Sequence, residues 1–221
     1  MKVMILAAGR GERMGHLTKN CPKPLLKVAG RSLIEHHILA LKQQGFDDFV
    51  INIAYLGDQI KTLLGSGERW GVHIEYSDEG GHALETGGGI LNALPLLGEQ
   101  PFLIVNADVW TDFPYASLKE GATKDVHLVL VNNPVHHKEG DFGLLRGIAQ
   151  LEADERYTYS GIGVFNAAMF TSQVEGAFPL APLIRQLIAQ DQVSAQLYQG
   201  EWVDVGTPER LANLELRLQS A

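Results

Sequence analysis

The sequence predicts an α/β fold: one mixed, mostly parallel β-sheet with helices on both faces, in a single domain over residues 1–221. Three observations predict it. Short apolar runs of the buried-strand kind alternate with segments of helical periodicity. At 45% hydrophobic and 20% charged, the chain has the makeup of an ordinary globule able to bury a sizeable core. A glycine-hinged loop follows the first apolar run directly, and sheets of this class bring ligands to the carboxyl ends of their strands.

The elements follow in order. Val3–Leu6 is a short apolar strand, and Gly9 and Gly11 free the chain that leaves it to turn backbone N–H groups toward an anion. Ser-Leu-Ile-Glu at 32–35 is a capping box in which serine and glutamate satisfy each other's orphan N–H groups. Ile34, Ile38 and Leu41 then recur at helical spacing up to Gly45. Residues 49–54 read as a second buried strand, 58–64 as a short helix and 72–76 as an alternating strand. A glycine-rich link leads to a helix near 88–96, and apolar strands follow at 102–105 and 126–131. The second half is less regular, with a strand at 157–165, a helix at 182–190 and short strands at 196–198 and 201–205. Thr207 and Pro208 open the last helix, threonine as N-cap and proline where its missing N–H has no partner to lose. No repeat, low-complexity tract or linker divides the chain.

Charge narrows the function. The net charge is −8, yet residues 1–31 hold Lys2, Arg10, Arg13, Lys19, Lys23, Lys27 and Arg31 against Glu12 alone. An acidic chain with one basic segment lacks the broad positive surface that duplex nucleic acid needs, and suits a small anion in a focused pocket. Cys21 is the only cysteine, so no intrachain disulfide forms, as in a reducing compartment. The apolar start runs into Gly9, Arg10, Glu12 and Arg13, where a cleavable signal would stay apolar, and no run approaches the length of a membrane span. A cytoplasmic location is therefore expected.

Gly-Arg-Gly-Glu-Arg at 9–13 differs from two common phosphate loops. A dinucleotide fingerprint needs a third glycine where Met14 stands, and a P-loop needs Gly-Lys-Ser/Thr directly before its helix. Here the lysine comes later, in Pro-Lys-Pro at 22–24, where two prolines stiffen the backbone that presents Lys23 from an extended segment.

These residues carry a resemblance. Leu-Ala-Ala-Gly-x-Gly-x-Arg-Met at 6–14, Pro-Lys-Pro at 22–24 and Asn-Ala-Asp at 106–108 resemble the sugar-1-phosphate nucleotidyltransferase family, over nearly the whole chain. The fold this implies is Rossmann-like, that of the nucleotide-diphospho-sugar transferases. One departure is that many members have Arg-Pro where this chain has Gly15 and His16. By this resemblance the nucleotide is bound by Ala7, Ala8, Gly9, Gly11, Glu12, Arg13 and Lys23, with Arg13 and Lys23 catalytic: Arg13 on the phosphates and leaving pyrophosphate, Lys23 bridging the α-phosphate and sugar phosphate. Asp108 and Asp204 are implied as ligands of Mg²⁺, a cation that prefers oxygen donors and keeps several waters. The stretch 84–89 is implied to face the base through Thr86 and Gly87, its glycine run letting a planar base approach; Asp78, Glu79 and Gly80 stand where many members carry a base-reading glutamine.

Asn106 and Asp141 match positions that bind sugar hydroxyls in relatives, and the run 133–142 resembles short bacterial uridylyltransferases that act on N-acetylmuramate 1-phosphate in peptidoglycan recycling of the cell wall. The expected reaction is uridylyl transfer from UTP to that sugar 1-phosphate, with no nucleic-acid or membrane partner. Lys138, Arg146, His136 and His137 are candidates for its lactyl carboxylate. The rivals are a mannose- or heptose-1-phosphate nucleotidyltransferase with another triphosphate, and a non-catalytic nucleotide-sugar sensor, which would have lost Arg13, Lys23 or an acidic ligand. The chain lacks the long C-terminal extension that makes some relatives bifunctional or trimeric, so a monomer or weak homodimer is expected.

Overall fold

The computed structural model describes residues 1–81, 83–119 and 124–220. In chain order the elements are β1 (Val3–Leu6), β2 (Lys27–Val28), β3 (Arg31–Ser32), α1 (Leu33–Gln43), β4 (Asp48–Ile53), α2 (Gly57–Leu64) and β5 (His73–Asp78). They continue with α3 (Glu85–Leu97), β6 (Phe102–Asn106), β7 (Val109–Thr111), β8 (Val126–Val131), β9 (Phe142–Leu145), β10 (Ile148–Gln150) and β11 (Arg156–Phe165). Last come α4 (Leu180–Ala189), β12 (Val193–Tyr198), β13 (Trp202–Asp204) and α5 (Pro208–Gln219).

Among the described residues, nine strands form one sheet in the order β5-β4-β1-β6-β11-β8-β12-β10-β9. β5, β4, β1 and β6 pair in parallel, as do β8 and β12. The departures from parallel are β11, which runs against both β6 and β8, and β10, which runs against β12 and β9. β9 also pairs with the first residues of β11, so the second half of the sheet curls back on itself.

The pleat sorts the two cores. Val3 and Ile5 of β1 face Ile34, Ile38 and Leu41 of α1 and Ile60 of α2, whereas Met4 faces Ile90 and Ala93 of α3 and, farther along, Leu183 and Ile184 of α4. Helices thus cover both faces, as expected. α1 begins with the capping box: Ser32 N–H donates to Glu35 Oε2 at 3.0 Å, and Ser32 Oγ donates to the same oxygen at 2.6 Å.

Two departures matter for the site. α3 starts at Glu85, ahead of the expected Gly88, because its glycines are needed for close packing and not as a flexible link. Of the small antiparallel pairs β2–β3 and β7–β13, only β13 is expected from the sequence, within 201–205; β2, β3 and β7 have no signature there, since strands this short show no periodicity.

Candidate active site

β1 delivers the glycine loop at its carboxyl end. Its last residue, Leu6, lies between Asn52 of β4 and Asn106 of β6. Ala7 N–H donates to Asn52 Oδ1 at 2.8 Å, Asn52 Nδ2 donates to Glu79 Oε1 at 2.7 Å, and Leu84 N–H donates to Glu79 Oε2 at 2.8 Å. This relay fixes the start of the loop against the start of α3. Gly11 sits at φ +66°, and a Cβ there would meet Lys23 Cβ at 3.0 Å and Thr18 Cγ2 at 3.1 Å. Both conformation and space reserve the position for glycine. Thr18 Oγ1 donates to the Gly11 carbonyl at 3.0 Å and pins the loop from behind.

A crevice of about 520 Å³ opens above these strand ends. Ala7, Ala8, Gly9, Gly11, Glu12, Arg13, Lys23, Thr86, Asn106 and Asp108 all line it, whereas Gly87, Asp141 and Asp204 do not. Lys23 corrects the expectation of presentation from an extended segment. Only Pro22 is extended; Lys23 begins a single 3₁₀ turn and is 6% exposed, its stem packed along Gly11. Its ammonium donates to Asp108 Oδ2 at 2.6 Å. Asp108 is more open, with its side chain 36% exposed to the crevice.

β7 and β13 bring the second aspartate in. Asp204 lies opposite Val109, and Val205 N–H donates to the Asp108 carbonyl at 2.8 Å, so the backbones carrying Asp108 and Asp204 are hydrogen-bonded neighbours. Asp204 is held from its other side: Arg210 of α5 donates to its Oδ2 at 2.6 Å, and His136 Nε2 lies 3.2 Å from the same atom. Both carboxylates therefore meet protein cations through Oδ2. Among the described residues, no group of three or more His, Cys, Asp or Glu side chains could hold a metal ion. The pair of hard oxygen donors fits a cation that completes its shell with water and phosphate oxygens.

The glycine run corrects a second expectation. A Cβ on Gly87 would lie 2.3 Å from the Phe178 ring, one on Gly88 2.1 Å from the Gly176 carbonyl and one on Gly89 2.5 Å from Glu79 Oε1. The N–H groups of Gly87 and Gly88 both donate to the Phe178 carbonyl. The run thus serves helix packing, and Gly87 lies behind Thr86, outside the crevice wall. Glu85, which lines the crevice, takes a left-handed conformation at φ 57°. For a residue with a Cβ, such a backbone is held only by its surroundings.

Asn106 and Asp141 each meet β11 at its irregularity, where register shifts between Tyr159 and Ile162. Gly161 there has φ +79°, and a Cβ on it would sit 2.5 Å from Asn106 Nδ2. Tyr159 N–H donates to Asp141 Oδ2 at 2.8 Å, and Trp202 Nε1 donates to the Ser160 carbonyl at 2.9 Å. The four lactyl candidates separate. His137 Nε2 lies 3.2 Å from Asp141 Oδ1, while His136 turns to Asp204, so the adjacent histidines serve different carboxylates. Lys138 is exposed on the same loop. Arg146 lies in the β9–β10 turn, beyond the far end of β9 from Asp141, where Ala195 N–H donates to the neighbouring Gly147 carbonyl.

The family model described as nucleotidyl transferase matches residues 2–220. The chain belongs to the nucleotidyl transferase family. An N-acetylmuramate alpha-1-phosphate uridylyltransferase of Neisseria meningitidis serogroup B is 48% identical over 96% of this chain and 95% of its own. A Caulobacter vibrioides protein of the same name is 35% identical over 99% and 97%. A mannose-1-phosphate guanyltransferase of Gibberella zeae is 29% identical over 95% of this chain and 62% of its own. Among solved structures, one from Bacillus anthracis described as a glucose-1-phosphate thymidylyltransferase superposes with TM-score 0.86 at 20% identity, covering 100% and 96%. At that identity the likeness shows the fold, that of the nucleotide-diphospho-sugar transferases.

In this nucleotidyl transferase, sequence reasoning missed the residues that hold the others in place. Asn52 had a signal, a lone amide inside the otherwise apolar run 49–54, buried to 3% exposure. Glu79 lines the crevice, but both of its carboxylate oxygens are committed, to Asn52 and to Leu84. Asp78 pairs with Lys61 away from the crevice. Arg210 gave no signal: its role depends on α5 folding back beside β13.

Proposed function

We propose that this chain transfers the uridylyl group of UTP to N-acetylmuramate 1-phosphate, releasing pyrophosphate. The observation that carries this reading is the buried Lys23 ammonium, paired with Asp108 at 2.6 Å in the crevice that Arg13 and the 7–11 backbone also line. The two relatives matched nearly end to end supply the substrate pair.

In the proposed reaction an oxygen of the sugar 1-phosphate attacks the α-phosphorus of UTP. That P–O bond forms as the bond from the α-phosphorus to the bridging oxygen breaks, and the electron pair leaves with pyrophosphate. No covalent enzyme intermediate is involved. The barrier lies in bringing two anions together and stabilising spreading negative charge, so the protein contributes position and cations. Backbone N–H groups of the loop and Arg13 hold the triphosphate. Lys23, on a packed stem, turns from Asp108 toward the phosphates with little entropy left to lose. Asn106 and Asp141 take sugar hydroxyls at the β11 irregularity, with His137 beside Asp141. Asp108 and Asp204 would hold Mg²⁺, which when bound neutralises phosphate charge.

The test is a panel of sugar 1-phosphates against UTP, dTTP, GTP, CTP and ATP, scored by pyrophosphate release. Preference for UTP with N-acetylmuramate 1-phosphate is expected. A preference for GTP with mannose 1-phosphate would move this chain to the activity named for the Gibberella zeae relative.

A further inference from the structure

Gly15 and His16, which replace the Arg-Pro of many family members, line a second concavity that the transfer reaction leaves unused. This hollow of about 370 Å³ lies beside the glycine loop, with Arg10, His16, Lys19 and Tyr55 in its wall. Arg10 and Glu12 line both it and the main crevice, so the two spaces adjoin across these side chains. Gly15 adopts φ 59°, ψ −124°, which interrupts the helical turn over 12–18 and is strained for any residue with a Cβ. The far wall is braced: Tyr55 Oη donates to the Lys19 carbonyl at 2.8 Å, Gln59 Nε2 donates to the Asn20 carbonyl at 3.1 Å, and the Arg10 guanidinium lies 5.9 Å from the Tyr55 ring centre.

Positive charge outweighs negative here: Arg10 and Lys19, with His16, share the wall with the Glu12 carboxylate. Among the described residues, Arg10, His16 and Lys19 join no salt bridge, although the chain is acidic overall at −8 and pairs many of its other cations. Cations gathered in one concavity in excess of its carboxylates raise the local concentration of anions. We infer that this hollow is a second anion site, which takes inorganic pyrophosphate as it leaves the crevice. The inference rests on the proposed nucleotidyl transfer, because that reaction sets a diphosphate free beside Arg13 and Lys23, and Arg10 borders both spaces.

Calorimetric titration of inorganic pyrophosphate into protein saturated with a non-hydrolysable UTP analogue tests it, with the crevice already filled. Saturable uptake is expected. In the double variant His16→Ala, Lys19→Ala, the pyrophosphate affinity should fall at least about tenfold, the loss of one or two charge-assisted hydrogen bonds. Affinity for the analogue and the Tm should stay at their starting values, since both side chains are exposed. No uptake by the nucleotide-filled protein, or unchanged uptake by the double variant, overturns the inference. Neither measurement uses a sugar or turnover, so a substrate panel that favoured another sugar would leave this result standing, one that favoured another base would change only the analogue that fills the crevice, and failure of the titration would leave the panel's result standing.

Discussion

Lys23 shows how much one side chain can carry. It is buried, its stem packs along Gly11, and its ammonium reaches Asp108. Stem and charge are therefore separable by mutation. Lys23→Met keeps the stem, so its Tm should stay near that of the parent while kcat falls about 10²–10³-fold, the cost of removing one preorganised cation from a transition state. Lys23→Ala should lose turnover and several degrees of Tm together. Asp108→Asn should abolish Mg²⁺-dependent turnover, read by pyrophosphate release over a magnesium titration; near-normal kcat at saturating magnesium would remove Asp108 from the reaction. At Gly161, alanine must take φ +79° with its Cβ 2.5 Å from Asn106 Nδ2. Gly161→Ala should destabilise by about 1–3 kcal/mol in urea unfolding, and raise KM for the sugar phosphate more than KM for UTP.

At the scale of the element, the site depends on α3 and α5, neither of which supplies the central cation. α3 seats its glycines against Gly176 and Phe178, which sets where Glu85 and Thr86 meet the crevice. Gly88→Ala would place a Cβ 2.1 Å from the Gly176 carbonyl. This variant should cost about 1–3 kcal/mol or more, because a packed backbone cannot yield as a side chain does. Thr207 caps α5, its Oγ1 accepting from Arg210 N–H at 3.3 Å, and the helix aims Arg210 at Asp204. Thr207→Ala should lower unfolding stability by about 1 kcal/mol and loosen the Arg210–Asp204 pair, seen as a raised magnesium requirement. An unchanged requirement would separate the cap from the site.

Over the whole molecule, acid should unfold the chain through its buried histidines. His37 of α1 is 3% exposed, its Nε2 has no partner among the described residues, and burial lowers its pKa to about 4. Burial lowers that of His127 too. Between the unfolded value near 6.5 and the folded value, the unfolded chain binds the extra proton, so stability is whole above about pH 6.5 and falls as pH drops toward 4. For His37 alone the loss is about 3 kcal/mol by linkage. Urea midpoints from pH 7 to pH 4 should fall in wild type and fall less steeply in His37→Leu; parallel curves would clear His37 of the effect.

The sequence by itself determined the local and the repetitive: β1 and its loop from an apolar run ending in glycines, α1 from its capping box, and the parallel half of the sheet from alternating strand and helix. It also named Arg13, Lys23 and Asp108, because a family motif is contiguous or nearly so. Tertiary structure alone decided which side chains face one another. Asp204 reaches Asp108 through a three-residue pairing of β13 with β7, and Asn106 fits only because Gly161, far along the chain, has no Cβ. The burial of Lys23, the packing role of the 87–89 glycines and the pairing of Asp204 with Arg210 are of the same kind. A local pattern records the periodicity of a segment's own backbone; it holds no record of the neighbour that segment will meet once distant strands close the sheet.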